Sequence, residues 1–270
     1  MTERRSHFAW IAAALTLAAQ VTVAQSAVAD PARWRAEWPK TDFTRTAVEF
    51  ASIRSGGPPK DGIPSIDNPK FERLAGGRAA GWAADIGDTE AVISILIADD
   101  ARAYPLRVLT WHEIANDTVG GKPVVVTYCP LCNTALVFER TVDGRVLDFG
   151  TTGKLRNSDL VMYDRQTETW WQQFTGEAIV GAFTGSTLKL VPARIESFER
   201  YRKRFPDGQV LVPNNPNLRR YGVNPYVNYD AIGNVPFLYQ GSFPKGIEAM
   251  ERVVVVEAAP GKHEAWPLAL

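Results

Sequence analysis

The chain has 270 residues, and its 30 basic and 30 acidic side chains give a formal net charge of zero. It has neither a basic arm nor an acidic tail, so we do not expect nucleic acid as a partner. With only two cysteines the chain has no disulfide framework, and its length allows one large domain or two small ones.

The first 29 residues have the pattern of a signal peptide. Arg4 and Arg5 precede an apolar run over 9–23, and small residues at Ala27 and Ala29 offer a cleavage site before Asp30. The run is shorter than the roughly 20 apolar residues that span a membrane. We therefore expect export to the periplasm or the medium by the general or the twin-arginine route, and no membrane span after cleavage.

The mature chain is predicted to begin with a turn-rich segment over residues 30–80, followed by a mainly β domain over 81–270. Proline and glycine are dense in "SGGPPKDGIPSIDNPKF" (55–71), where they disfavour regular helix or strand. Downstream, apolar and β-branched runs alternate with turn signals, which is typical of short strands.

In chain order, the first predicted elements are two strands in 91–106, joined at Asp99-Asp100, and a short helix over 107–116. Further strands are predicted at 122–128, 134–141, 159–165, 169–175, 186–192, 209–212 and 253–257, with an Asp143-Gly144 hairpin turn. A second helix is predicted over 195–205, ending before Pro206. The pattern predicts a mainly β protein with a few short helices, folded as a single barrel- or sandwich-like domain.

Cys129 and Cys132, the only cysteines, flank a Pro-Leu pair between two predicted strands. A Cys-Pro-x-Cys turn in that setting resembles the knuckle that presents two thiolates to one metal ion. Cu(I), which accepts thiolate and thioether ligands, is the first expectation and Zn(II) the second, with His112 and then Met162 as helper ligands.

Two alternatives use the same sulfur atoms. A thiol–disulfide pair needs a lowered thiol pKa, which a helix N-terminus after Cys129 would supply, but the downstream residues read as a strand. A structural disulfide would close a very short loop and contribute roughly 2 kcal/mol. Metal binding implies a partner that delivers the metal, and a thiol–disulfide function implies a redox partner.

A third class of function places a small polar or sugar-like ligand on a strand surface. Trp170 and Trp171 are expected on opposite faces of one strand, so that one of them, with Gln172 or Gln173, could stack on a flat ligand. The alternative is that both rings pack in the interior, on the two faces of a β-layer.

Two long stretches resemble a known family. "TWHEIANDTVGGKPVVVTYCPLCNTALVFER" (110–140) and "LDFGTTGKLRNSDLVMYDRQTETWWQQFTGEAIVG" (147–181) are similar to the family catalogued as domain of unknown function 3179. The similarity extends from about "DGIPSIDNPKF" to "FPDGQVL". The resemblance implies a common domain and directs attention to the cysteines, His112 and the tryptophan pair, but it implies no reaction.

Overall fold

The computed structural model describes residues 31–259 and 262–268. The predicted signal peptide lies outside the described residues. In the described part of the chain the strands are β1 (Ile53–Ser55), β2 (Ile66–Asp67), β3 (Lys70–Arg73), β4 (Ala91–Ile97), β5 (Asp100–Pro105), β6 (Ile114–Val119), β7 (Lys122–Cys129), β8 (Thr134–Glu139), β9 (Thr141–Val142), β10 (Arg145–Val146), β11 (Phe149–Arg156), β12 (Asp159–Asp164), β13 (Trp170–Gln172), β14 (Ala178–Val180), β15 (Arg194–Ser197), β16 (Gln209–Val212), β17 (Val253–Ala259) and β18 (Lys262–Pro267). The α-helices are α1 (Pro31–Trp34), α2 (Leu106–Leu109) and α3 (Phe198–Arg204).

Three sheets form the body of the molecule. The central sheet has the order β2-β6-β7-β8, the front sheet β1-β11-β12-β13-β14, and the back sheet β15-β4-β5-β16-β3. Two further pairs, β9-β10 and β17-β18, form separate ribbons. The prediction of a mainly β, sandwich-like domain with a few short helices is confirmed.

The central sheet is buried on both faces, and strand β7 shows why. Val124 and Val126 pack in a cluster with residues of the back sheet such as Ile93. Val125 and Cys129 pack in a second cluster with Met162 of the front sheet and its neighbours. Because alternate residues of a strand point to opposite faces, β7 reads as a continuous apolar run and sends Cys129 toward the front sheet.

The N-terminal segment and the third helix cover the outer faces. Trp38 and Phe43 pack with Trp170 on the outer side of the front sheet. Tyr201 of α3 packs with Val92 and Val210 of the back sheet. Residues 31–80 also contribute strands to all three sheets, since β1 pairs with β11, β2 with β6, and β3 with β16.

Three predicted elements differ from the structure. The helix predicted over 107–116 ends at Leu109, because Ile114 and the next residue pack on opposite faces of β6 rather than along one stripe. The helix predicted over 195–205 begins only at Phe198, and Arg194–Ser197 pair with β4 instead. Residues 186–192 form only isolated bridges, to Glu177 and to Phe138, because the chain changes partner within the segment.

The tight turns follow the expected chemistry. Asp143 and Gly144 have φ of 48° and 73°, as a two-residue hairpin turn requires. Asn157 and Ser158 adopt the same left-handed conformation between β11 and β12, with φ of 53° and 66°. In the described part of the chain, no helix has the length and apolar character needed to cross a membrane.

Candidate functional site

The two cysteines lie on a strand–turn–strand knuckle. Cys129 is the last residue of β7, and the turn that follows returns the chain to β8, where Thr134 is the register partner of Cys129. Asn133 supplies the left-handed conformation that closes the turn, with φ of 47°. Both cysteines are free thiols; Cys129 is buried, and Cys132 is half-buried. This is the geometry predicted for a knuckle, with no helix beginning at Cys129.

Asp159 completes a group of three candidate ligands. One ligand atom each from Cys129, Cys132 and Asp159 lies within 4.8 Å of the other two. Asp159 is the first residue of β12 and follows the Asn157-Ser158 turn. The stacking of the front sheet on the central sheet therefore delivers a carboxylate to the sulfur atoms. The sequence analysis did not include Asp159 among the expected ligands.

The carboxylate of Asp159 is held in one orientation. Its Oδ2 accepts hydrogen bonds from the side-chain amide of Gln172 and from the backbone N–H of Phe174, the latter at 3.0 Å. Its Oδ1 accepts a hydrogen bond from the Cys132 thiol at 3.2 Å. The two partners of Oδ2 thus leave Oδ1 facing the cysteines, an arrangement of supporting contacts that metal-binding carboxylates commonly have.

The acidic groups of the site have no positively charged partner among the described residues. Burial raises the pKa of Cys129 well above its ordinary value, and the neighbouring Cys132, Asp159 and Glu113 raise it further. Burial likewise raises the pKa of Asp159. Among the described residues neither Asp159 nor Glu113 forms a salt bridge. The folded chain therefore favours the neutral forms of these acids unless a cation arrives.

Glu113 is a second acidic group that the sequence analysis did not single out. Its side chain is only 6% exposed, and burial together with the charge of Asp159 raises its pKa to about 8. Its backbone is left-handed, with φ of 58°, an uncommon conformation for a residue of this size. Backbone hydrogen bonds to Leu109 O and from Tyr128 N hold it there, at 2.6 and 2.7 Å.

His112 forms its hydrogen bonds away from the cysteines. Its Nδ1 lies 2.7 Å from the carbonyl oxygen of Pro64, and its Nε2 lies 2.7 Å from the hydroxyl of Tyr221. Since a carbonyl can only accept, Nδ1 carries the proton, and Nε2 of the neutral ring accepts from Tyr221. Burial lowers the pKa of His112, which favours this neutral ring. His112 is not part of the three-residue ligand group, and its ring instead links Pro64 to Tyr221, where the segment that follows is anchored.

Met162 lies in the same buried cluster as Cys129. It is an interior residue of β12, opposite Trp171 of β13, and it is fully buried. Its side chain packs against the apolar interior between the front and central sheets. A shared cluster does not establish that its sulfur reaches the two cysteines, so its role as a helper ligand stays a prediction.

At Trp170 and Trp171 the structure has the packed alternative, because neither ring is exposed to a ligand. Both tryptophans are 0% exposed, and Gln172 and Gln173 are buried as well. The rings do point to opposite faces: Trp170 packs under the N-terminal segment, and Trp171 packs between the front and central sheets. Sequence periodicity identified the two faces but not the second layer that covers each of them. Gln172 instead orients the carboxylate beside the cysteines.

Two cavities flank the cysteine turn. The first, about 330 Å³, is lined by Pro130 and Asn133 of the turn. The second, about 300 Å³, is lined by Leu131 of the turn and by Glu113. Tyr226 and Tyr229 line both cavities, so the segment anchored by His112 covers the site.

A family model with the description "Protein of unknown function (DUF3179)" matches residues 60–270 of the chain. The matched region includes the cysteine turn, Asp159, Glu113 and every strand of the three sheets except β1. No curated protein and no solved structure matches the chain.

Proposed function

The chain belongs to the DUF3179 family, and we propose that this member is an exported protein that binds one thiophilic metal ion through Cys129, Cys132 and Asp159. The observation that carries the proposal is the convergence of three ligand atoms within 4.8 Å at a buried site. Thiolate sulfur and carboxylate oxygen are both zinc ligands, and three of them leave a fourth position of a tetrahedral site for another ligand.

The charges of the site support a cation in particular. Cys129 and Asp159 are buried, and burial raises the pKa of each because it disfavours the charged form. A divalent ion supplies that charge, and it binds the deprotonated forms of its ligands. Gln172 and Phe174 already hold the carboxylate of Asp159 in the orientation that a metal ion would need.

The donor set favours Zn(II) over Cu(I), which was the first expectation from the sequence. Two thiolates alone suit the soft Cu(I) ion, but the carboxylate of Asp159 is a hard oxygen donor. Zn(II) accepts sulfur and oxygen ligands together, and its two charges offset more of the buried negative charge than one would. We therefore place Zn(II) first and Cu(I) second.

The thiol–disulfide alternative has weaker support. Catalytic cysteines of that class have a lowered pKa, and here burial raises the pKa of Cys129. The strand–turn–strand context also provides no helix N-terminus at Cys129. What favours the alternative is the half-buried Cys132, whose thiol donates to the carboxylate of Asp159 and so has a proton acceptor at hand.

Export is part of the proposal and rests on the residue pattern of positions 4–29. The mature protein is then expected to begin at Asp30. The partner that would follow from this reading is a protein that delivers or receives the metal in the same compartment.

The test is a native mass spectrum of the mature protein, purified from the exported fraction without chelators, together with elemental analysis. We expect one zinc per chain in the wild type, and loss of the metal in Cys129→Ser and Asp159→Asn. Asp143→Asn, which changes a carboxylate in the β9-β10 turn, is the matched control and should retain the metal.

Two results would contradict the proposal. Metal retained at full stoichiometry after replacement of both cysteines would place the ion elsewhere. A metal-free chain that is two hydrogens lighter, and does not take up zinc after reduction, would identify the pair as a disulfide and favour the alternative.

A further inference from the structure

The second cavity contains a buried acid without a partner. Its walls are mainly apolar, formed by residues such as Ile63, Leu131, Leu155 and Leu160, and its volume of about 300 Å³ is at the small end of the range for small-molecule pockets. Glu113 lines this cavity with its side chain 6% exposed. Among the described residues no hydrogen bond or salt bridge reaches its carboxyl group.

The carboxyl group of Glu113 is reached from the cavity, because its oxygen atoms are not among the completely buried polar atoms without a hydrogen-bond partner. A ligand in the cavity therefore has direct access to this carboxyl group. Glu113 is also held in a left-handed backbone conformation, with φ of 58°, which costs free energy and keeps the residue at the cavity wall. A ligand that fills the cavity would supply the partner that the carboxyl group lacks among the described residues.

The charges around the cavity indicate which ligand fits. The charged group that acts on Glu113 is the carboxylate of Asp159, which is also acidic. Lys154 also borders the cavity, but its ammonium group pairs with Glu37 at 3.4 Å and lies 5.0 Å from the ring of Trp38, on the outer side of the front sheet. Lys154 is thus already paired with another carboxylate, and Glu113, which is neutral in the empty cavity, takes its charged form when a cation pairs with it.

The remaining wall is aromatic. Tyr226, Tyr229 and Phe237 of the covering segment line the cavity opposite the strands. Aromatic faces attract cations, and the combination of aromatic rings with one carboxylate is how proteins bind organic ammonium groups. We infer that this cavity binds a small organic amine, whose ammonium group pairs with Glu113 and whose apolar body fills the space between Leu131, Leu160 and the tyrosines.

This binding site does not rest on the metal site. Leu131 and Leu160 are neighbours in sequence of Cys132 and Asp159, so the two sites share a wall, but Glu113 is not in the ligand group. The two proposals therefore fail independently: loss of metal in Cys129→Ser tests one, and amine binding to chelator-treated protein tests the other.

The experiment is isothermal titration calorimetry of the chelator-treated mature protein with three probes of one shape: benzylamine, benzyl alcohol and benzoate. We expect benzylamine to bind at least tenfold more tightly than benzyl alcohol, and benzoate to bind most weakly. Removing the metal beforehand prevents the amine from coordinating it. Repeating the titration in a Cys132→Ser background should give the same order.

Variants of the acid then identify the contact. Glu113→Gln should abolish the preference for the amine over the alcohol while leaving alcohol binding unchanged, and Glu113→Asp should restore part of the preference. Glu177→Gln, at an exposed carboxylate, is the matched control and should bind like the wild type. Equal binding of amine and alcohol by the wild type, an unchanged preference in Glu113→Gln, or no binding of benzylamine at all would each overturn the inference.

Discussion

Replacing Glu113 by Gln should make the stability of the protein much less dependent on pH. The pKa of Glu113 is about 8 in the folded chain, against a reference value of 4.5, because the group is buried and lies near Asp159. Between these two values the folded chain holds a proton that the unfolded chain has released. Raising the pH through this window therefore favours unfolding.

The size of the effect follows from the two pKa values. Each pH unit between about 4.5 and about 8 lowers the free energy of unfolding of the wild type by up to ~1.4 kcal/mol, and the whole window by roughly 5 kcal/mol. Glu113→Gln has no proton to release at this position. The two proteins should be about equally stable at pH 4, and the variant should be the more stable by several kcal/mol at pH 9.

The assay is urea unfolding of both proteins at half-unit steps from pH 4 to pH 9, with chelator present and the ionic strength fixed. Asp159 and Cys129 are present in both proteins and interact with Glu113, so the difference reports the titration of Glu113 together with this coupling. The exposed Glu177→Gln variant should follow the wild type at every pH. A difference between wild type and Glu113→Gln that stays constant across the window would refute the assignment of a raised pKa to Glu113.

Further predictions concern the neighbours of the site. Gln172→Ala should weaken zinc binding by ~10-fold or more, measured by competition with a zinc-sensitive dye, because the carboxylate of Asp159 loses a partner that orients it. His112→Phe should increase cleavage of the segment that begins at Tyr221 in limited proteolysis, because the hydrogen bond that anchors the segment is lost; unchanged digestion would contradict this. Trp170→Ala should lower the free energy of unfolding by about 3–5 kcal/mol in urea titrations, because the ring is fully buried; a loss under 1 kcal/mol would contradict its core position.

The strands and their faces could be predicted because they depend on short-range patterns. The Asp143-Gly144 hairpin and the runs around β4, β7 and β12 follow from β-branched residues and turn chemistry. The helix predicted over 107–116 was wrong beyond Leu109 because a strand buried on both faces has no polar side to mark it. Periodicity alone cannot distinguish that strand from a buried helix.

The candidate site was predicted only in part, because its geometry depends on how the sheets stack. The cysteine knuckle is local and was visible from the residues between Cys129 and Cys132. Asp159 lies 27 residues beyond Cys132 and reaches it only through packing of the front sheet on the central sheet. Glutamate is not a residue type that favours the left-handed conformation, so the sequence did not indicate the unusual backbone of Glu113.

The position of Cys129 at the end of a strand is the strongest physical argument for a cation. In a thiol–disulfide protein the thiolate is stabilised by the chain itself, through the free N–H groups and dipole at a helix N-terminus. Here the residue ends β7, its side chain is 1% exposed, and its neighbours Cys132, Asp159 and Glu113 all raise its pKa. The chain thus offers the thiolate little stabilisation of its own, so ionisation of Cys129 near neutral pH requires a positive charge from outside the chain. The metal ion that we propose at Cys129, Cys132 and Asp159 would supply that charge.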